Sequence, residues 1–176
     1  KVFICSFDLE SYTERKNPWA SIRAFQKAFK TFYPNSLEKS DVCLVIKTFR
    51  PLSRNRDWII IKKLAELDKR IIIIESDLKH SELMSLYGCC DSLIALHRSE
   101  GFGRIIAECI HLGLEVVTTA WGGNLDFCDE KLVHLIPYKL INIVPGTYPN
   151  WPNQKWADPD VLSAAKKLER SQRVLN

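Results

Sequence analysis

Short apolar runs alternate along the chain with stretches whose apolar residues recur at helical spacing. Residues 2–7, 42–47, 70–75, 92–96, 115–119 and 133–137 read as strands, each bounded by polar or turn-forming residues. After the first run, Ile22, Phe25, Phe29 and Phe32 fall on one face of a predicted helix, with Asn17 as its N-cap and Pro18 at its first position. Further helices are predicted over 57–67, 81–87 and 103–112. Strand and helix in repeated alternation predict an α/β fold, a Rossmann-like parallel sheet with helices on both faces. Ligands of such sheets sit beyond the carboxyl ends of the strands, so the loops at 8–16, 48–56, 76–80, 97–102 and 120–124 are where a site is expected.

The end of the chain breaks this rhythm. Residues 138–157 are rich in Pro, Asn, Trp and Tyr and read as an irregular segment, in which Tyr148, Trp151 and Trp156 fasten the loop to the core. Val161, Ala165 and Leu168 then restore a helical stripe, predicting a C-terminal helix over 159–172. The sequence Asp158-Pro159-Asp160 resembles a metal-binding pair of aspartates, but a helix start accounts for all three residues. Asp158 would cap, Pro159 would take the first helical position, and Asp160 would face the helix dipole. No metal site is expected.

Length and charge narrow the class. A chain of 176 residues can bury one sizeable core, so one domain over 1–176 is expected. A net charge of +4, dispersed along the sequence, does not describe a nucleic-acid binder. No uninterrupted apolar run, 71–74 included, approaches the length a membrane helix requires. The six cysteines lack metal-ligand spacing and read as buried thiols of a cytoplasmic protein. The chain opens at Lys1 directly into a strand, as a piece of a longer protein would.

The chemistry concentrates in Ser99-Glu100-Gly101-Phe102-Gly103, which follows a predicted strand and opens a predicted helix. Free amides and the helix dipole favour an anion there. Glu108 lies one helical turn further on, beside the stripe of Ile105, Cys109 and Leu112. An ionised carboxylate in that position needs a hydrogen-bonding partner, for which a ribose diol or plain solvent would serve.

These residues carry a resemblance. The run from Ser99 through Glu108, followed by Gly113, Val116, Val117, Thr118 and Gly122-Gly123-Asn124, resembles the donor-binding domain of family 4 retaining glycosyltransferases of the GT-B fold. Arg15-Lys16-Asn17-Pro18 and Trp156 through Asp160 extend it toward a bacterial branch. The resemblance implies a C-terminal, nucleotide-sugar-binding half whose N-terminal acceptor-binding domain lies elsewhere, and a hexosyl transfer in bacterial surface polysaccharide synthesis. It implies that Glu100 and the backbone of Gly101, Phe102 and Gly103 face the sugar and its phosphates, that Glu108 binds the ribose, and that Arg15 and Lys16 meet the departing diphosphate. The donor would be a nucleotide diphosphate sugar, with no metal or other cofactor. Peripheral contact with the inner face of a membrane would come only through the other half, and the isolated domain would not turn over.

The chain departs from the family pattern in places. Arg15 and Lys16 are adjacent where the family separates its two cations, so Lys47, at the end of the second strand, is a candidate for the second charge. Glu115 stands where a proline is common. His97, Arg98 and Arg104 replace smaller or apolar residues and are candidates for reading the donor. A non-catalytic nucleotide-binding module is the alternative from another class. A dinucleotide-binding domain fits less well, because the glycine turn falls in the fourth βα unit and lacks the third glycine and the downstream acid.

Overall fold

Alternation along the first strand sets the two faces of the sheet. In β1 (Val2–Asp8), Phe3, Cys5 and Phe7 point into one core and Ile4 into the other. Strand β2 (Cys43–Phe49) repeats the pattern, with Leu44 and Ile46 on one side and Val45 on the other. The protein is described by a computed structural model over residues 1–29, 41–49, 55–129, 131, 133–149 and 151–173. Phe32 of the predicted helical stripe and residues 50–54 of the second predicted loop lie outside these.

The remaining strands are β3 (Ile71–Ile74), β4 (Ser92–Ala95), β5 (Glu115–Thr119) and β6 (Val133–Ile136), and the parallel sheet runs β3-β2-β1-β4-β5-β6. On the Phe3 face lie α2 (Pro18–Ala28), α3 (Arg56–Leu67) and α6 (Val161–Arg173), contributing Phe25, Trp58 and Leu168 to the core. The Ile4 face is covered by α4 (His80–Gly88) and α5 (Arg104–His111), through Tyr87, Ile106 and Cys109. This is the Rossmann-like α/β sheet that the alternation predicts. No described helix is long and apolar enough to cross a membrane.

Four local expectations are corrected. The first predicted loop contains a 3-10 turn (Leu9–Ser11) and a one-turn helix, α1 (Thr13–Lys16). Because α1 ends where α2 begins, Asn17 takes a left-handed conformation (φ 50°, ψ 51°) and makes no side-chain cap. Asn tolerates that region better than most residues. Its buried amide instead donates to the Leu96 carbonyl at 3.0 Å.

The segment 138–157 is not irregular throughout. Tyr138–Asn142 forms β7 and Lys155–Pro159 forms β8, paired antiparallel, with the Pro, Gly and Asn residues gathered in the connection between them. Consequently Asp158 and Pro159 belong to a strand, and the cap of α6 is Asp160. Its carboxylate accepts from the amides of Leu162 at 2.9 Å and Ser163 at 3.1 Å.

The amino end of the sheet is closed by ionic contacts. Glu115, at the start of β5, accepts from Lys1 at 2.9 Å and from His134 of β6 at 2.6 Å, and it bonds the Ser171 hydroxyl of α6. Burial alone would raise this carboxyl, but its hydrogen bonds from His134, Ser171 and Lys1 win and lower it from 4.5 to about 2. A carboxyl depressed on folding stabilises above its unfolded pKa and loses that contribution as pH falls toward the folded value. We therefore expect Glu115→Gln to cost about 1–3 kcal/mol at neutral pH. Urea unfolding of both proteins should show the gap narrowing as the pH falls from 4.5 toward 2, and an unchanging gap would assign the loss to packing.

Candidate functional site

Parallel strands β1 and β4 share only two ladder positions, Phe3 with Ser92 and Ile4 with Leu93. Beyond them β1 runs on to Asp8 while β4 ends at Ala95, and the strands part. The sheet reverses its winding order at this point, β2 and β3 lying on one side of β1 and β4, β5 and β6 on the other. A cavity of about 760 Å³ occupies the gap. Its walls include Ser6, Phe7 and Ala95 of the parting strands, Leu83 and Tyr87 of α4, and the first turn of α5.

The α5 end of the cavity is built by close backbone packing. Gly123 donates its amide to the Glu100 carbonyl at 3.0 Å, and a Cβ on Gly123 would come within 1.8 Å of the Gly101 carbonyl oxygen. Gly122, at φ 110°, leaves equally little room, its Cβ position lying 2.6 Å from the Glu100 carbonyl oxygen. Glycine is required there by approach as well as by angle. Phe102 packs on Phe127 with ring centres 4.9 Å apart, tethering the two loops from outside. Gly103 (φ 90°) then turns the chain into α5, whose first amides, at Arg104 to Ile106, have no carbonyl one turn before them in the helix. The cavity wall at this turn carries the positive end of α5.

Most of the residues selected from the sequence line this cavity: Arg15, Lys16, Glu100, Phe102, Gly103 and Glu108, with His97 and Arg104. The two cations converge on one carboxylate. Lys16 Nζ donates to Glu100 Oε2 at 2.5 Å, and Arg15 lies 3.6 Å from the same oxygen while donating to the Ser99 carbonyl at 2.8 Å. Burial by itself would raise Glu100, but the hydrogen bond and charge of Lys16, joined by Arg15, hold it below the usual carboxylate range. Glu108 has no hydrogen-bond or salt-bridge partner among the described residues and is half-buried on the cavity wall.

Two expected site residues are placed elsewhere. Gly101 does not line the cavity; it serves as the surface on which Gly123 rests. Lys47 is fully buried in β2, donates to the carbonyl of Thr48 at 2.5 Å and lies 4.3 Å from the centre of the Phe49 ring. Burial lowers its pKa against the pull of Asp77. It is flanked by β1 and β3, so its strand-end position does not bring it to the ligand space.

Sequence reasoning did not find two features. Ser6 Oγ and Tyr87 Oη are 2.9 Å apart on the cavity wall, and burial raises the phenol above its ordinary range. Arg98, a candidate from the sequence for reading the donor, does not line the cavity; it stacks instead on Trp156, bonds Asp158 at 3.2 Å and pairs with Glu14. Neither contact has a local signal, since the partners are dozens of residues apart. Of the thiols, Cys5, Cys90 and Cys109 are buried as expected, whereas Cys89 is exposed. No group of three or more metal-binding side chains occurs among the described residues.

Comparison with solved structures yields the same fold. The chain is similar to a glycosyltransferase from Rickettsia africae, with a TM-score of 0.67 and 19% identity over 99% of this chain and 38% of that one. The α,α-trehalose 6-phosphate synthase of Burkholderia multivorans superposes with a TM-score of 0.66 at 14% identity, over 98% and 35% of the respective chains. Anabaena HepE in complex with UDP-glucose gives 0.55 and 18%, over 76% and 34%. The chain thus spans little more than a third of the length of these proteins, and what it shares with them is the fold. No family model and no curated sequence matches the chain.

The packing of the glycine pair gives a direct test. Gly123→Ala must separate two backbones that cannot yield by changing a rotamer, and we expect a loss of at least about 2 kcal/mol in denaturant unfolding. Gly88→Ala, where a Cβ would meet nothing within 4 Å, is the control and should cost less.

Proposed function

We propose that this chain is the donor-binding, C-terminal half of a family 4 retaining glycosyltransferase of the GT-B fold. The observation that carries the reading is Glu108, a half-buried carboxylate with no partner among the described residues, on the wall of a cavity whose adjoining wall is the amino end of a helix. A carboxylate accepts well from a vicinal diol and a helix amino end from phosphate. A nucleoside diphosphate sugar presents both groups, a few ångströms apart.

In this reading the diphosphate lies on the first amides of α5, the ribose on Glu108 and the sugar toward Glu100. Cleavage of the glycosidic bond leaves negative charge on the diphosphate. Lys16 and Arg15, which neutralise Glu100, are close enough to it to serve both anions. Interactions that strengthen as this charge develops lower the barrier, whereas those equal in ground and transition states do not. The basic pair and the helix amides supply positive charge without a metal, and we propose none. The acceptor, a glycan or lipid-linked glycan of bacterial surface polysaccharide synthesis, would be held by a second domain preceding this one. The acceptor and the stereochemical outcome rest on the sequence resemblance.

Two measurements test the assignment. Glu108→Ala should weaken nucleoside diphosphate binding by about 1–3 kcal/mol in calorimetry, and an unchanged affinity would remove the ribose from this helix. Lys16→Ala in the full enzyme should lower kcat by at least about tenfold with a smaller change in donor affinity. A proportional loss in both would mean that Lys16 binds the donor without acting on the leaving group.

A further inference from the structure

Arg15 and Lys16 reach the cavity from α1, a single helical turn. Four residues lack the cooperative ladder that holds longer helices together. The residue before the turn, Tyr12, lies at φ 62° and ψ 99°, a costly conformation for an aromatic side chain. The turn is therefore kept in place from outside, and Arg98 grips it at three points. The Arg98 amide donates to the Arg15 carbonyl at 2.8 Å, and Nη1 donates to the Glu14 carbonyl at 3.2 Å and to the Glu14 carboxylate. The other side of the guanidinium is committed to β8. Nε and Nη2 donate to Asp158 Oδ1 at 3.3 and 3.2 Å, and the group lies 5.3 Å from the centre of the Trp156 ring. Trp156 and its neighbour Ala157 are buried, so this end of the tie is anchored in the core.

The arrangement needs an arginine. A planar fork with five donors can serve carboxylates on two different elements while stacking on a ring, and an ammonium group cannot. We infer that Arg98 is a positioning residue, which ties α1 to β8 and thereby fixes Lys16 and Arg15 against Glu100 and the departing diphosphate. This rests on the nucleotide-sugar reading and adds to it a residue that does not line the cavity. In that reading the donor is held by Glu108 and the first amides of α5, and neither contact passes through α1. Loss of Arg98 therefore separates turnover from affinity. A displacement of about 1 Å in a catalytic group can cost up to about a hundredfold in rate.

The test follows release of nucleoside diphosphate by the full enzyme from UDP-glucose, UDP-N-acetylglucosamine or GDP-mannose, whichever is turned over, with water as the acceptor. Arg98→Met should lower kcat by about tenfold while KM and the calorimetric affinity and stoichiometry for UDP or GDP stay as in the wild type. Arg98→Lys, which keeps the charge without the fork, should recover only part of the rate. Against an Arg15→Ala, Lys16→Ala background, Arg98→Met should cost nothing further, because a residue that acts through the two cations has no effect once they are gone. Asp158→Ala, on a half-exposed side chain at the far end of the tie, should lower kcat in the same sense by a smaller factor and without the risk to folding. A carbon-13 titration of the glutamate carboxyls of this chain gives a readout that needs no donor. Burial would raise Glu100, and Lys16 and Arg15 hold it below the usual carboxylate range, so Arg98→Met should move it up toward that range. A kcat loss that multiplies with the loss of the cations, or a Glu100 titration that ignores Arg98, would overturn the positioning role and leave the functional reading intact. A wild-type enzyme that neither binds nor cleaves any of these donors would overturn that reading and the role in turnover with it.

Discussion

Everything at the candidate site depends on where β1 and β4 cease to pair. Two ladder positions hold them, and then the backbone groups of β1 from Cys5 onward have β2 on one side and open space on the other. A parallel sheet with helices on both faces has few places where unpaired strand edges can face a ligand, and the reversal of winding order is one. The parting also explains why a polar residue such as His97 sits so deep. It occupies a position that would be core if the strands continued together.

The electrostatics of the gap follow from its burial. Lys16, Arg15 and Glu100 are all largely withdrawn from water, where a lone charge is expensive and a pair needs good geometry to compensate. The fold meets that requirement internally, through the Lys16–Glu100 contact. In the proposed reading an incoming anion would compete with Glu100 for Lys16, and the site would trade one ion pair for another without leaving an uncompensated cation. Glu108 has no such contact among the described residues, and in the proposed reading that difference separates a residue poised between two partners from one satisfied by the ligand.

The sheet, its five main flanking helices and the glycine motif were legible in the sequence because each depends on local pattern: period two, period 3.6, and a glycine turn opening a helix. What misled was context at the ends of elements. Lys47 reads as a strand-end charge free to meet a phosphate, yet β2 is an inner strand and its neighbours on both sides bury the side chain. Asn17 before Pro18 has the composition of a cap, but a preceding helical turn takes away the extended conformation a cap needs. Strands β7 and β8 went unseen because each finds its partner across a connection whose prolines and asparagines dominate the local composition. Adjacent in sequence, Arg15 and Lys16 gave no sign that they converge on one carboxylate, since Glu100 is 84 positions away from Lys16.

Arg98 joins these long-range features into one unit. Its amide donates to the Arg15 carbonyl at 2.8 Å, its carbonyl accepts from Ala157 at 2.9 Å, and its guanidinium spans Glu14 of α1 and Asp158 of β8 while lying over Trp156. The hairpin's ring of Trp156 in turn contacts Tyr148, which reaches Tyr12 at the start of α1. The one-turn helix that presents Arg15 and Lys16 is far too short to hold itself. Its position is therefore imposed from both ends, by Asn17 on the Leu96 carbonyl and by Arg98 with the hairpin behind it. The hairpin that looked like an irregular tail thus helps place the two cations against Glu100, although none of its described residues lines the cavity.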